Sequence, residues 1–304
     1  MLTTEPFERL IQNMDSGNRL VRAWPLTGGV SAQITALEIA RPDGQTQKMI
    51  VRLHGEVDRT QNPQVAAAEF KLLQHLKSAG LAVPTPYYLD TSCTIFPIPY
   101  LVIEFVEGAT DFTPENLPDY LRQFATHLAQ IHRLPAADFD FLPRQSDIYA
   151  NKFKVRPAKL DDSIGEGQIR DVLESVWPLA QHNKSVLLHG DYWPGNLLWQ
   201  GGQLIAIIDW EDARTGDPLA DLANSRLEIS WAFGMEAMQA VTNIYQSLTN
   251  LDYTNLPYWD LCAALRPAFK ISEWAADAIA EKRMRERHGW FVTQAFEKIS
   301  DSPR

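Results

Sequence analysis

The sequence has little of several features that mark particular classes of protein. It contains two cysteines, Cys93 and Cys262, so it cannot build a disulfide framework, and we expect a reducing compartment. No apolar run approaches the ~20 residues that a membrane-spanning helix needs, and the stretch MLTTEPFERLIQNM lacks the apolar core of a signal peptide. We therefore expect a cytoplasmic protein that has no membrane partner.

Positive charge is also scarce. The 28 lysines and arginines are outnumbered by 38 aspartates and glutamates, which gives a formal net charge of −10. Nucleic-acid-binding proteins normally carry a basic surface, so we expect no nucleic-acid partner. The acidic chain is compatible with a cationic small-molecule partner, although acidity is common among cytosolic proteins. The length of 304 residues is enough for two lobes with cores of their own.

The most informative stretch is 186–212, VLLHGDYWPGNLLWQGGQLIAIIDWED. A short apolar run opens it and a polar loop follows. Two further apolar runs, 197–199 and 204–208, are separated by Gly201-Gly202. A glycine pair between apolar runs is a strong signal for a two-residue β-turn, so we predict a hairpin here.

Three polar residues surround this hairpin. Asn196 precedes it, Asp209 follows it, and Asp191 lies on the loop before it, so we expect Asn196 and Asp209 near the same end. Carboxylate and amide oxygens suit Mg²⁺, and a free carboxylate can orient or deprotonate a nucleophile. Asp191 and Asn196 could instead cap turns, as such residues often do. The order and the D-x-x-x-x-N spacing, which match a kinase catalytic loop, favour catalysis.

These motifs resemble those of the aminoglycoside phosphotransferase family, whose members are relatives of the protein kinases. The resemblance rests on His189-Gly190-Asp191 with Asn196, on Ile208-Asp209-Trp210-Glu211, and on the stretch GDPLADLA at 216–223. It implies an α+β, two-lobe, protein-kinase-like fold. The expected small lobe, 1–106, has an antiparallel sheet and one helix and binds nucleotide. The expected larger lobe, 107–304, is mainly helical and carries the catalytic and acceptor-binding residues.

The resemblance also implies an activity, the ATP-dependent phosphorylation of a hydroxyl group on a small molecule. Asp191 would be the catalytic residue, while Asn196 and Asp209 would hold Mg²⁺. His189 would organise the loop, and Asp221 would brace the loop backbone rather than take part in catalysis. The sequence DWE at 209–211 departs from the D-F-G of protein kinases, so a kinase-like activation switch is not expected.

Two parts of the small lobe would bind the nucleotide according to the resemblance. A loop between two predicted strands would cover the phosphates, although a glycine pair between strands is usually only a hairpin turn, and the full G-x-G-x-x-G is missing. The strand at 100–106 would lead into a hinge that reads the adenine edge. The residues concerned are Gly28, Gly29, Val30 and Ser31 in the loop, and Glu104, Phe105 and Val106 in the hinge.

A cation is also expected beside the phosphates. In the strand KMIVRL at 48–53, Arg52 occupies the position at which kinases carry a phosphate-pairing lysine, and Lys48 is the alternative. Glu69 lies on the apolar stripe of a predicted helix that ends near Gly80, where an unpaired carboxylate would be costly. We therefore predict an ion pair between Arg52 and Glu69, the alternative being a glutamate that reaches solvent.

Other functions remain open at this point. A choline- or homoserine-type metabolite kinase would differ only in its acceptor. A metal-dependent hydrolase could use His189, Asp191 and Asp209 without needing ATP. A non-catalytic nucleotide-binding protein would show no phosphoryl transfer, although the complete set of Asp191, Asn196 and Asp209 argues against it.

Overall fold

The computed structural model describes residues 4–26 and 32–301, and the chain forms two compact units. The first unit contains the chain up to Gly108 together with Ile205–Glu211. The second contains Ala109–Leu204 and the chain from Asp212 onward. The division expected from the sequence, after residue 106, included no later segment in the first unit. The return of Ile205–Glu211 matters because it brings Asp209 into that unit.

The first unit is built on an antiparallel sheet of five strands in the order β1-β2-β3-β5-β4. The central strands carry apolar side chains on both faces, which agrees with their central positions. Their bounds are β1 Arg19–Pro25, β2 Ala32–Ala40, β3 Thr46–His54, β4 Pro86–Asp90 and β5 Tyr100–Glu104.

Three helices accompany the sheet: α1 Glu5–Met14, α2 Glu56–Gln61 and α3 Val65–Ser78. The apolar face of α1 packs on the sheet through Phe7, Leu10 and Ile11, beside Leu37 and Met49. The fold expected from the sequence had one helix in this lobe, the helix that carries Glu69, which is α3; the structure adds α1 and α2. With its sheet and helices, this unit confirms the expected α+β class.

The second unit is mainly helical. Its helices are α4 Leu117–Ile131, α5 Gln145–Lys154, α6 Glu166–Val176, α7 Pro218–Phe233, α8 Met235–Leu248, α9 Leu256–Ala264, α10 Ile271–Trp274 and α11 Ala278–Asp301. Among residues 4–26 and 32–301, none of the helices is both long and apolar enough to cross a membrane.

Helix α7 is the most buried helix of this unit and packs against α8, α9 and α11. It begins sharply, because the Asp217 side chain accepts a hydrogen bond from the Leu219 N–H at 3.0 Å and Pro218 occupies the first turn. Within its buried length, Arg226 makes a two-pronged ion pair with Asp260 of α9, at 2.9 and 3.0 Å. The helix therefore forms a fixed support for the loops that pack on it.

Short strands frame the 186–212 stretch. Strand β6, Val186–Leu188, pairs antiparallel with β9, Arg214–Gly216. Strands β7, Leu197–Gln200, and β8, Gln203–Ile207, are joined by Gly201-Gly202, where both glycines have positive φ. The predicted hairpin with its two-residue turn is confirmed.

Candidate active-site residues

The loop that carries Asp191 follows β6 in the second unit and requires a glycine. Gly190 has φ +83°, and a Cβ atom at this position would lie 2.1 Å from the carbonyl oxygen of Asp212. Any other residue would therefore force the two backbone segments apart. The glycine lets the chain turn directly from the buried end of β6 to Asp191.

Asp221 of α7 is hydrogen-bonded to the backbone of this loop. Its carboxylate accepts the backbone N–H of His189 at 2.6 Å and that of Gly190 at 3.0 Å, while His132 Nε2 lies 3.4 Å away. Burial tends to raise the pKa of the Asp221 carboxyl, but the His132 contact, the charges of His132 and His189 and the Gly190 N–H outweigh it and lower the pKa. The structural role predicted for Asp221 is confirmed.

The Asp191 carboxylate is held on both sides. Its Oδ1 accepts a hydrogen bond from Arg266 at 2.6 Å, and its Oδ2 accepts one from the Asn196 amide at 3.2 Å. Arg266 also donates to the carbonyl of Gly190 at 2.8 Å. Asp191 and Arg266 each remain partly exposed, at 29% of the side chain. The carboxylate is therefore oriented and still accessible.

Arg266 is a residue of this site that the sequence did not reveal. It lies two residues beyond the end of α9, far along the chain from Asp191, and no local motif marks it. Burial acts to lower the pKa of its guanidinium, but the charges of Asp191 and Asp212 raise it, so Arg266 keeps its charge. Arg266 therefore places a permanent positive charge beside Asp191, the residue predicted to be catalytic.

The side-chain amide of Asn196 is oriented by hydrogen bonds to Asp191. Its amide NH2 donates to the carbonyl of Asp191 at 2.9 Å and to the Asp191 carboxylate. Because the NH2 faces these acceptors, the amide oxygen is the atom left for another partner, and amide oxygen is a normal Mg²⁺ ligand. The role of Asn196 as a metal ligand stays a prediction with which these contacts are compatible.

The first unit gathers three carboxylates around Arg52 of β3. Glu69 of α3 lies 3.3 Å from its Nε, Asp209 Oδ1 lies 2.8 Å from its NH2, and Glu211 also accepts from the NH2. Burial acts to lower the pKa of Arg52, but the charges of Glu69, Asp209 and Glu211 raise it further above its usual range. The predicted ion pair of Arg52 with Glu69 is confirmed.

Glu69 has a second partner that was not foreseen. His54 at the end of β3 places Nε2 2.6 Å from the Glu69 carboxylate, and both side chains are buried. Burial acts to raise the pKa of Glu69, yet Arg52 and His54 lower it. The carboxylate is therefore kept ionised and fixed towards Arg52.

Asp209 sits in an unusual backbone conformation. Its φ is +66°, in the left-handed region that is uncommon outside glycine, although aspartate and asparagine adopt it more often than most residues. The next residue, Trp210, is buried and donates its indole N–H to the carbonyl of Ile207 at 3.0 Å. The strained turn after β8 is thereby anchored, and strain of this kind collects at functional sites. Asp209 can offer a carboxylate oxygen to Mg²⁺.

The alternative cation, Lys48, lies in a different setting. Its ammonium pairs with Glu107 at 2.6 Å, and 33% of the Lys48 side chain and 64% of the Glu107 side chain are exposed. Arg52, in contrast, is buried among carboxylates that include the predicted metal ligand Asp209. These contacts favour Arg52 over Lys48 as the cation that would pair with the phosphates.

The remaining predicted nucleotide residues fall into two groups. The loop residues Gly28, Gly29, Val30 and Ser31 lie outside the described residues. At the hinge, the Glu104 carboxylate accepts from the N–H of Thr85 at 3.0 Å, and Phe105 packs against Trp24 with ring centroids 6.1 Å apart. The Val106 carbonyl accepts from the Gly108 N–H at 3.0 Å. The role of these hinge residues in binding adenine stays a prediction.

Curated relatives of the chain include two types of protein. It is 26% identical over 178 residues to acyl-CoA dehydrogenase family member 10 of Mus musculus, covering 52% of this chain and 16% of that protein. It is 27% identical over 226 residues to a homoserine kinase of Methylocella silvestris, covering 67% of this chain and 68% of that protein. The chain thus spans less than a third of the length of the acyl-CoA dehydrogenase family members that it matches.

Solved structures share the fold along nearly the whole chain. One is the macrolide 2′-phosphotransferase of Brachybacterium faecium, at TM-score 0.61 and 18% identity, covering 99% of each chain. Another is spectinomycin phosphotransferase in complex with ADP and spectinomycin, at TM-score 0.62 and 16% identity, covering 98% of this chain and 99% of that one. The protein-kinase-like fold that the sequence predicted is confirmed by this similarity.

A family model provides the more specific match. The model described as the phosphotransferase enzyme family matches residues 25–256, which include β3, the Asp191 loop, the β7–β8 hairpin and α7. The resemblance noted from the motifs is therefore confirmed over most of the chain. The chain belongs to the phosphotransferase enzyme family.

Proposed function

We propose that this protein transfers the γ-phosphate of ATP to a hydroxyl group of a small molecule. The observation that carries the proposal is the Asp191 carboxylate, which is oriented by Arg266 and Asn196 on a loop braced by Asp221. A carboxylate fixed in this way can accept a hydrogen bond from an alcohol and receive its proton as the new phosphate bond forms. Membership of the phosphotransferase family supports the same chemistry.

The other residues would bind and neutralise the phosphates. Asn196 and Asp209 each offer an oxygen ligand for Mg²⁺, which would supply charge neutralisation on the phosphate oxygens. Arg52 would contribute positive charge, positioned by its ion pair with Glu69. Most of the acceleration would come from positioning and from charge stabilisation.

The nucleotide would also meet backbone groups at two places. We assign the phosphate-covering loop to Gly28, Gly29, Val30 and Ser31, and the adenine-reading hinge to Glu104, Phe105 and Val106. We divide the chain functionally into a nucleotide-binding part, 1–106, and an acceptor-binding part, 107–304. Both cysteines are free thiols, which supports a reducing, cytoplasmic location.

Several acceptors are consistent with this chemistry. The fold is shared with enzymes named for macrolides and spectinomycin, and a curated relative is named homoserine kinase. A homoserine- or choline-type metabolite kinase is therefore the second candidate. It differs from an antibiotic phosphotransferase in the acceptor and not in the roles of Asp191, Asn196 and Asp209.

The hydrolase alternative finds less support. Within residues 4–26 and 32–301, no group of three His, Cys, Asp or Glu side chains is arranged to hold a metal ion. His189 is buried, and its Nδ1 accepts the backbone N–H of Asp191 at 3.3 Å, so the imidazole serves the loop rather than an open metal position. These contacts favour the phosphotransferase.

The decisive experiment compares wild type with Asp191→Asn. We would measure binding of ATP and GTP with Mg²⁺ by calorimetry, and γ-phosphate transfer to aminoglycosides, macrolides, amino alcohols and sugars. Asp191→Asn should bind nucleotide normally and lose about 10²–10⁴-fold in kcat. Asp138→Asn, at an exposed position of the same unit, is the matched control and should retain full activity. Normal turnover by Asp191→Asn would disprove the mechanism.

A further inference from the structure

Trp193 is a partly exposed aromatic residue on the loop that carries Asp191. Only two peptide units separate the two residues, so their Cα atoms are at most about 7 Å apart. Trp193 has the extended backbone that is expected before Pro194, with φ −145° and ψ 165°. The preceding residue, Tyr192, is fully buried, and its hydroxyl donates to the carbonyl of Phe124 at 3.0 Å. Tyr192 therefore fills the core of the second unit, whereas Trp193 contributes to the surface of the loop.

The indole of Trp193 is packed against Gly195 of the same loop. A Cβ atom at Gly195 would overlap with the six-membered ring of the indole, so the ring occupies the space of the side chain that Gly195 lacks. The turn is closed by Asn196, whose backbone N–H donates to the carbonyl of Trp193 at 3.0 Å and whose amide donates to the carbonyl of Asp191 at 2.9 Å. The indole is therefore part of the same closed turn as the Asp191 carboxylate.

Phe112 extends this aromatic surface. Its ring lies beside the indole of Trp193, with ring centroids 6.1 Å apart and planes at 51°. Both residues belong to the second unit, and Phe112 is 46% exposed. Aromatic side chains beside a few fixed polar groups are typical of sites that bind small molecules. We call Phe112 and Trp193 the aromatic platform.

We propose that the aromatic platform determines which acceptor is used, by binding the ring of a cyclic polyol while a hydroxyl of that ring meets Asp191. This inference rests on the proposed phosphotransferase function. The face of an indole carries partial negative charge and attracts the C–H groups on the face of a sugar or cyclitol ring. Because Trp193 and Asp191 share a closed turn, a molecule whose hydroxyl contacts Asp191 has its carbon skeleton within reach of the indole.

The aromatic platform separates two kinds of candidate acceptor. A ring is rigid and covers the indole face without losing internal freedom. An open-chain alcohol must fix several torsions to make the same contact, and this ordering opposes binding. An acceptor of the homoserine or choline type, which has an open chain, therefore fits the platform less well than a cyclic alcohol.

The first test uses pairs of acceptors that differ only in the ring. Phosphate transfer from ATP would be compared for myo-inositol and glucitol, and for 2-aminocyclohexanol and 1-amino-2-hexanol. The members of a pair have the same number of carbon atoms and the same polar groups, but only the first contains a ring. The cyclic member of a pair should have the higher kcat/KM.

Variants of Trp193 connect this preference to the indole. Trp193→Ala should raise the KM of the cyclic acceptor about tenfold or more, which is the effect of losing a stacked aromatic contact. The KM of the open-chain acceptor and the KM of ATP should change little. Trp193→Phe keeps an aromatic face and should keep the preference for the ring. Trp290→Ala, at an exposed tryptophan of α11 in the same unit, is the matched control and should behave as wild type.

The second test measures binding without any phosphoryl transfer. Tryptophan fluorescence would be recorded for wild type, Trp193→Phe and Trp290→Phe, each with ADP and Mg²⁺, during titration with myo-inositol or glucitol. Myo-inositol should change the fluorescence of wild type and of Trp290→Phe, and the change should vanish in Trp193→Phe. Glucitol should cause no change. This result would place the ring beside the indole of Trp193.

Several results would overturn the proposal. If Trp193→Ala lowered kcat equally for both members of a pair at unchanged KM, Trp193 would have only a structural role in the loop. If it raised the KM of ATP instead, the indole would serve the nucleotide. A fluorescence change that persists in Trp193→Phe, or that is missing in wild type, would show that no ring binds at Trp193.

The failure of this proposal differs from the failure of the proposed function. Preference for the open-chain acceptors would overturn the cyclic acceptor and leave the phosphotransferase function intact. Absence of transfer to every acceptor would contradict the phosphotransferase function, while the fluorescence titration would still decide whether a ring binds at Trp193.

Discussion

Arg52 and Glu69 form a buried ion pair, with the guanidinium Nε 3.3 Å from the carboxylate. Only 6% of the Arg52 side chain and 4% of the Glu69 side chain are exposed. A buried pair is costly to break, because one charge is left without its partner. Asp209 and Glu211 share the same guanidinium, so the pair also fixes the position of a predicted metal ligand.

Glu69→Gln should destabilise the first unit in a pH-dependent way. The pKa of Glu69 is lowered in the folded chain, so its ionised form stabilises the fold above the unfolded value of 4.5, and this contribution is lost as the pH falls below it. We expect a loss of about 1–3 kcal/mol at pH 7 and a smaller loss at pH 3.5. Denaturant unfolding at both pH values would measure it.

The control for this change is Glu56→Gln at an exposed position of α2. It should alter stability little at either pH. If Glu69→Gln lowered the free energy of unfolding equally at pH 3.5 and pH 7, the carboxylate charge of Glu69 would not stabilise the fold.

Arg52→Lys tests the choice between Arg52 and Lys48. A lysine keeps the charge but cannot reach Glu69, Asp209 and Glu211 with a single ammonium. We expect the KM of ATP to rise about tenfold or more, which is the effect of losing one charge-assisted hydrogen bond.

Lys48→Gln is the comparison, because the Lys48–Glu107 pair lies at the surface. Exposed pairs contribute about 0–1 kcal/mol, so the KM of ATP should change little. Steady-state kinetics with varied ATP would measure both variants. A larger effect of Lys48→Gln than of Arg52→Lys would reverse the assignment.

Asp221→Asn should damage catalysis through the loop backbone. Asp221 accepts two backbone N–H groups, from His189 and Gly190. Each of the two carboxylate oxygens accepts one of these N–H groups. An asparagine has a single side-chain oxygen, so its NH2 group would face the second N–H, and two donors would oppose each other. We expect a loss of about 1–3 kcal/mol in stability and a fall in kcat with little change in the KM of ATP.

Unfolding and steady-state kinetics would measure this variant beside Asp138→Asn, an exposed aspartate of the same unit. Unchanged kcat in Asp221→Asn, at a temperature where it is fully folded, would show that the hydrogen bonds from Asp221 to the loop backbone do not position Asp191.

Local sequence signals predicted much of the fold and of the candidate site. The glycine pair at 201–202 specified the β7–β8 turn through its backbone conformation. The apolar stripe of α3 required a partner for Glu69, which led to Arg52 on β3. The spacing of Asp191 and Asn196 placed both on one loop, where they are hydrogen-bonded. Each of these inferences needed only local information: adjacent residues, the alternation along a strand, or the apolar stripe of a helix.

Long-range pairs escaped the same reasoning. Arg266 reaches Asp191 across 75 positions of the chain, and nothing in its neighbourhood differs from an ordinary loop after a helix. Glu211 binds Arg52 because Ile205–Glu211 returns to the first unit, which is a property of the tertiary fold.

Glu228 of α7 is expected to make stability fall as the pH rises. Burial raises the pKa of its carboxyl to about 8, against 4.5 for the unfolded value. Between these values the folded chain keeps a proton that the unfolded chain has released, so folding becomes less favourable with increasing pH and levels off above about pH 8. Glu228→Gln resembles the protonated form and has no proton to lose.

The unfolding temperature of Glu228→Gln relative to wild type should therefore increase from pH 5 to pH 8. Thermal unfolding at intervals of one pH unit would measure it, with Glu236→Gln, at an exposed position of α8, as the control that shows no such trend. Activity at pH 6.5 should be retained by Glu228→Gln, since the wild-type carboxyl is then neutral as well. A difference between the two proteins that stays constant with pH would mean that Glu228 is ionised in the folded chain, and Glu228 would then oppose the positive charge at Arg266.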